Sequence, residues 1–553
     1  MSVQVVEKVG DVKIYGNGQP GGKGAGLVRI NECNIPTTHK LRTRVLSTIF
    51  FDRFIERIQQ FGAEEITLIK SILEKVGDMP ISVRSSATNE ACLSPEGIGS
   101  VHAGENTSFM LPNNHPDFSV RLEQLKLAIY NIYLDFIKKQ PADSSEKMAI
   151  VINPICGVTD QTYAGPIYYP MISGIANSFF PYALKSQNPD EGFARIAFGH
   201  GYATVFDDFP VISMATIKNP LPVQLLGEGQ AFFYALDMTK NAGLRGEELE
   251  TMRKLNIRFA SYFNHKILGV AKNRITLEPL IKYDHYAFKS NLLKIMETIS
   301  SRISSHYQIE FVFNIEKNQQ PDTPGVFHVV QLTELPKLDF EKIRIPENVH
   351  HTYLSIKSLQ GHGIKQGIKS VIVISPFIYS REMHDSVLKQ ITSLNREMKQ
   401  RNENYIIIVP GRLGSKNRNW GIQLEYADLD NAVAIFEYGV DIEGRAEPIK
   451  EKDDMTGGIY GSHFLYMIQG GHDEEQKRLK TRMYGTQGTH FLTNLMGNNI
   501  IYGYIAPAQD KIDPWFFAPP NGEQPAYVLS FPKPVSIYAD SANQQCVVIA
   551  ENE

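Results

Sequence analysis

The sequence predicts an α/β protein in two parts, residues 1–338 and residues 345–553. Three observations predict it. Segments with helical apolar spacing alternate with apolar runs of strand length along the chain. Residues 339–348 are strongly charged, with Pro336 just before them and Pro346 near their end, the composition of a domain boundary. Beyond it, a strand over 370–375, a helix over 381–401 and a strand over 405–410 spell a βαβ unit, which implies a parallel sheet.

In chain order, residues 3–15 read as a strand or β-hairpin, followed by a glycine-rich loop over 16–26 and a helix opening near Leu27. Residues 63–76 carry apolar side chains at Ile66, Ile69, Ile72 and Leu73, one face of a helix. Residues 80–88 read as a strand running into a polar loop, 118–139 as a long amphipathic helix, and 148–155 as a buried strand. Residues 194–206 read as strand, glycine turn, strand. A helix over 288–306, with Leu292, Ile295, Ile299 and Ile303 on one face, feeds strands at 308–314 and 326–332.

The bulk numbers exclude several classes. In 553 residues, 56 basic side chains stand against 60 acidic ones, so the charge balance gives no case for nucleic acid or an anionic membrane as partner. No stretch approaches the roughly 18 apolar residues of a spanning helix. The N-terminus lacks a signal-peptide core. Cys33, Cys92, Cys156 and Cys546 are scattered, without the close pair a structural zinc site needs, and fit reduced thiols in a cytosolic protein.

Three segments could carry chemistry. In Gly21-Gly22-Lys23-Gly24-Ala25-Gly26, glycines leave backbone N–H groups accessible to phosphate and Lys23 adds a point charge. A Walker A loop is excluded, because Gly24 stands where a metal-holding Ser or Thr would follow the lysine. In Ile81-Ser-Val-Arg84-Ser-Ser-Ala-Thr88, an arginine on a strand can present a bidentate fork to phosphate. Glu310 and Gln331 fall on two adjacent strand segments. If these pair, they offer oxygen ligands on one surface, which suits Mg²⁺ held jointly with substrate phosphates.

Together, in this order, the GGKGAxL, VRSSAT and IE…VVQ segments resemble the nucleotide-binding domain of phosphoenolpyruvate synthase, pyruvate phosphate dikinase and rifampicin phosphotransferase. Further segments, such as Pro410-Gly-Arg-Leu-Gly-Ser415, resemble proteins described as PEP/pyruvate-binding-domain proteins. The resemblance implies an α+β ATP-grasp-like N-terminal domain over 1–338 that binds ATP and Mg²⁺. It implies that Gly22, Lys23, Gly24 and Arg84 hold phosphates and that Glu310 and Gln331 bind Mg²⁺. It puts Gly104 and Ser108 in a loop closing over the nucleotide, and Asn153 where the family has a glutamine near adenine.

Three departures stand out. Thr333 occupies the place of an arginine that contacts the transferred phosphate, Asn153 is shorter than the usual glutamine, and the phosphohistidine swivel domain is missing. In the C-terminal part, Arg412 follows a strand in a glycine-rich loop, with Lys416 and Arg418 nearby. His463 and His490, each in a GxHF setting, could accept a phosphoryl group or act as bases. The expected function is an ATP- and Mg²⁺-dependent phosphotransferase acting on a small molecule in the cytoplasm. The alternatives are a ligase working through an acyl phosphate and a nucleotide-binding regulatory module.

Overall fold

A computed structural model describes residues 5–33, 35, 41–90, 104–140, 144–162, 165–180, 188–205, 209, 211–214, 217–218, 229–239, 249, 251–260, 268–271, 274–316, 318–336, 343–346, 349–414, 421–439, 489–507, 510–520, 524–541 and 543–551. Helices and strands mix in several sheets, the α/β class expected. The chain divides into two compact units: Met1–Phe179 with Glu191–Val205 and Phe209–Pro336, and Lys337–Glu553 with Phe180–Asp190 and Phe206–Asp208.

The first unit opens with a six-stranded sheet: β1 (Val5–Val9), β2 (Val12–Tyr15), β3 (Arg44–Leu46), β4 (Ile81–Ala87), β5 (Ser108–Leu111) and β6 (Met148–Pro154), in the order β1-β2-β3-β6-β4-β5. Side chains alternate across it, as strand geometry requires. Tyr15, Leu46, Val83, Ile150 and Ile152 enter a core shared with helices α2 (Thr48–Glu56), α3 (Ala63–Val76) and α4 (Phe118–Lys139). Val12, Ile14, Val45 and Val151 face the other way and meet Leu27 of helix α1 (Gly21–Glu32). Arg84, Ser82, Ser86 and Asn153 share that second face by the same alternation.

Helix α1 corrects the sequence expectation. It opens at Gly21 rather than near Leu27, so Gly22, Lys23 and Gly24 are helical and not a free loop. The glycines serve close packing. A Cβ on Gly22 would lie 1.4 Å from the Glu90 carbonyl oxygen, and one on Gly26 would lie 2.1 Å from that of Leu332. Helical periodicity was invisible here because glycine carries no side chain to show a buried face.

The unit continues with β7 (Val158–Thr162), β8 (Gly165–Tyr169), β9 (Ile172–Asn177), β10 (Phe193–Phe198), helix α5 (Tyr202–Val205), β11 (Ile212–Met214), β12 (Phe232–Asp237) and β13 (Met252–Asn256). The short pair β14 (Val270–Ala271) and β15 (Arg274–Ile275) follows. Helices α6 (Glu278–Lys282) and α7 (Phe288–Ser300) and strands β16 (His306–Asn314) and β17 (Val326–Leu335) close the unit. A five-stranded sheet runs β11-β10-β9-β16-β17 and a four-stranded one β13-β12-β8-β7. Two expectations change. The run after Gly199 forms α5, not a strand, and α7 stops at Ser300, so that His306 begins β16.

Among the described residues the second unit is a nine-stranded mixed sheet, entered through β18 (Thr352–Ile356) and β19 (Ser358–Gln360). The strands β20 (Gly363–Ile374) and β21 (Tyr405–Pro410) pair in parallel, joined by helix α8 (His384–Gln400), as the βαβ pattern predicted. The parallel set extends to residues Ala432–Tyr438 and Ile501–Ile505. On the other side of β20 the sheet turns antiparallel through the strand Ala526–Asp540. Trp515 packs against Tyr353 and Phe531 there. No helix among the described residues is long and apolar enough to cross a membrane. Cys33 and Cys546 are buried thiols and Cys156 is half-buried, all unpaired.

Candidate functional site

Four residues singled out in the sequence meet in the first unit. Antiparallel pairing of β16 and β17 sets Glu310 directly opposite Gln331. A register shift follows Glu310, so Phe311 pairs with Val329 and Val330 is left as the extra residue. This bulge turns the Val330 carbonyl toward Arg84, whose Nη1 donates to it at 3.2 Å. The Arg84 Nη2 donates to Glu310 Oε2 at 3.0 Å and to Gln331 Oε1. One arginine on β4 thus grips both proposed metal ligands and the bulge between the strands that carry them.

Lys23 reaches the cluster from α1. Its ammonium is buried and ion-paired with Glu90, which also accepts from the Ala87 N–H at 3.3 Å. Burial pulls the Lys23 pKa below the ordinary lysine value; Glu90 opposes the shift, Arg84 adds to it, and Glu310 also opposes it. The helix is fixed over this corner by Ser86. Its hydroxyl donates to the Pro20 carbonyl at 2.9 Å and accepts from the Gly24 N–H at 3.1 Å. Two cations and two carboxylates therefore balance one another, each cation held by an acid of the protein itself.

The remaining expected residues divide. Ser108 on β5 pairs directly with Arg84 and lies on its face of the sheet. Asn153 pairs with Ser82 on that same face, is 2% exposed, and its Oδ1 is buried without a hydrogen-bond partner among the described residues. A buried carbonyl oxygen of this kind is costly unless a ligand donor reaches it. Gly104 sits in an exposed turn with φ of 83°, apart from the cluster's hydrogen bonds. The backbone of Arg412 forms a two-residue strand beside Gly421–Ile422, but its side chain lies outside the described residues, as do Lys416, Arg418 and His463. His490 lies in helix α9 (Thr489–Gly497), with its side chain also outside the described residues.

Thr333 is buried, and the Gln331 Nε2 donates to its Oγ1 at 3.1 Å. That hydroxyl orients the glutamine amide. Neighbouring strands supply what the sequence reading passed over. Cα pairing runs Arg195, Ile175, Glu310, Gln331 across β10, β9, β16 and β17, so these four share one face and one row. Arg195 is 1% exposed, the largest fully buried side chain described. His200 follows β10. Burial pushes its imidazole pKa down to about 4; the Arg84 charge adds to the push and Glu310 opposes it. Its Nδ1 accepts from the Tyr202 N–H at 3.3 Å, so the neutral ring carries its proton on Nε2. Glu90 was legible as an acid just after the VRSSAT strand. Arg195 and His200 gave no local signal, because only strand pairing brings them here.

In the second unit, Glu437 is fully buried near the C-terminal ends of the parallel strands, where its Oε1 accepts from the Leu413 N–H at 2.9 Å and pairs with the Tyr502 hydroxyl. The charged residue inside the apolar run Ala432–Tyr438 was the available signal.

Among the described residues no group of three or more His, Cys, Asp or Glu could hold a metal by itself. Glu310 and Gln331 instead form a two-oxygen edge, the donor set Mg²⁺ takes when phosphates complete its shell. Compared with known proteins, the chain matches no family profile and no curated protein.

Proposed function

We propose that the first unit binds ATP with Mg²⁺ at the Lys23–Arg84–Glu310–Gln331 cluster and that the chain transfers a phosphoryl group to a small-molecule acceptor. The observation that carries this reading is the convergence on Arg84. A helix and a strand near the start of the chain, with a bulged hairpin more than two hundred residues beyond that strand, bring two cations and an oxygen edge into one partly buried place. The likeness of the same segments to the phosphoenolpyruvate synthase and dikinase nucleotide domain points the same way.

Phosphoryl transfer asks little covalent work of a protein, so positioning and charge carry the rate. Lys23 and Arg84 exchange their carboxylate partners for phosphate oxygens, which frees Glu310 and Gln331 to face the metal. Bound there, Mg²⁺ would neutralise charge on the phosphates. Asn153 offers its buried Oδ1 to a donor such as an exocyclic amine of the base. Arg195 is the buried cation of the Glu310 face and takes the place of the one that Thr333 leaves out.

Purified protein incubated with Mg²⁺ and labelled ATP, alone and with a metabolite pool, tests the reading. ADP with a new labelled compound supports it and identifies the acceptor; AMP formation indicates dikinase-type transfer. ATP bound but never turned over refutes the phosphotransferase. A second reading, a nucleotide-binding module without transfer chemistry, draws on the Gln331–Thr333 hydrogen bond, which commits the hairpin position to a neutral role. Activity that arises only in Thr333→Arg favours that second reading.

A further inference from the structure

The opposite face of the first sheet carries a charge pattern that the nucleotide reading does not use. Lys8 on β1 pairs directly with Lys13 on β2, and Lys13 pairs directly with Arg44 on β3. Three cations thus stand side by side across three adjacent strands. Like charges directly opposite one another destabilise a sheet. Arg42 and Lys75, from the last turn of α3, complete the wall of a cleft of about 350 Å³ whose one acidic lining residue is Asp11. None of these five cations forms an ion pair among the described residues.

The neighbouring charges act on one another. Arg44, burial, Lys8 and Lys75 together hold the Lys13 pKa below the ordinary lysine value, Arg44 most of all. Arg44 itself is fixed: its Nη1 donates to the Thr43 carbonyl at 2.9 Å and the Asp11 carbonyl at 3.5 Å. A chain of net charge -4 concentrates five positive groups against one negative group in one concavity. Strand alternation puts Lys13 and Arg44 on the side of Tyr15 and Leu46, away from Arg84, so the cleft and the Arg84 cluster lie on opposite faces of one sheet.

We propose that this cleft is a second anion site, taking a compact small molecule that carries two or more adjacent phosphoryl groups. The volume fits a small ligand rather than an extended polymer. The lining holds no aromatic side chain, so it offers no platform for stacking a nucleobase and recognises the phosphates alone. The inference is independent of the ATP reading, since no residue is shared.

Isothermal titration of the full chain with sodium tripolyphosphate, without Mg²⁺, tests it, with orthophosphate and a single-stranded 20-mer oligonucleotide as comparisons. Wild type binds tripolyphosphate more than tenfold tighter than orthophosphate. The pair Lys13→Gln with Arg44→Gln weakens tripolyphosphate at least tenfold, while Lys399→Gln, at an exposed lysine of the second unit, leaves that binding unchanged. Tripolyphosphate raises the wild-type melting temperature but not that of the double variant. Unchanged affinity in the double variant, or an equal loss in Lys399→Gln, overturns the proposal. An oligonucleotide that binds tighter than tripolyphosphate through the same residues also overturns it.

Discussion

Replacing Gly26 with alanine isolates the contact that seats α1 on the β16–β17 hairpin. On helix propensity alone the change is favourable by about 1 kcal/mol, because glycine is a poor helix former. The added methyl would stand 2.1 Å from the Leu332 carbonyl oxygen, with the Leu332 carbon at 3.1 Å and its nitrogen at 3.5 Å. These are backbone atoms of a paired strand, so relief requires the helix to move off the sheet by about 1 Å. Overpacking of this kind costs about 3 kcal/mol or more when backbone must shift. The net expectation is a loss of about 2 kcal/mol. Gly24 is the control, since its added methyl meets only the Pro20 Cβ at 3.0 Å and Val45 side-chain carbons at 3.3 and 3.7 Å. Gly24→Ala should therefore change stability by under about 1 kcal/mol, with propensity offsetting a small clash. The assay is urea unfolding followed by circular dichroism. Both tryptophans, Trp420 and Trp515, lie in the second unit, so their fluorescence reports that unit separately. A Gly26→Ala protein as stable as wild type, or a Gly24→Ala protein equally damaged, would refute close packing as the reason for these glycines.

Three further outcomes follow from the cluster. Glu310→Gln removes the carboxylate that balances Arg84 and should lower stability by about 1–3 kcal/mol; titration of ATP with and without Mg²⁺ should show that the metal no longer strengthens binding, and an unaltered Mg²⁺ effect would exclude Glu310 as a ligand. Arg195→Lys keeps the charge but loses the planar fork, so labelled-ATP turnover should fall about 10²–10³-fold with ATP affinity little changed; a proportionate loss of affinity would assign Arg195 to ground-state binding. His200 titrates near 6.5 when unfolded and near 4 when folded. Between those values the unfolded state binds more protons, so stability falls as pH drops from about 6.5 to about 4, by up to about 3 kcal/mol. Unfolding measured across that range should flatten in His200→Gln, and an unchanged slope would assign the pH dependence to other groups.

The structure also explains why some expectations from the sequence held and others did not. Helix α3 and helix α4 matched to the residue because their 14 and 22 residues repeat one apolar face over several turns. Arg84, Glu310 and Gln331 could be picked out because charged or amide groups inside strand patterns need a reason. The glycine-rich stretch misled, since the same composition serves a phosphate loop and a helix pressed against a backbone. The stretch after Gly199 misled because a four-residue helix is shorter than the period that would reveal it.

By itself the sequence determined the alternation of helices and strands, the βαβ unit at β20–α8–β21, and four of the residues that form the candidate site. Those are local or compositional properties, written in periods of two and 3.6 residues. Tertiary structure alone decided that Glu90 holds Lys23, that Thr333 serves Gln331, and that Arg195 and His200 approach Arg84 and Glu310. It alone decided that Lys8, Lys13 and Arg44 stand in one row on the other side. Pairing register between distant strands fixes which side chains share a face, and no period along one chain segment encodes which strand will lie beside it.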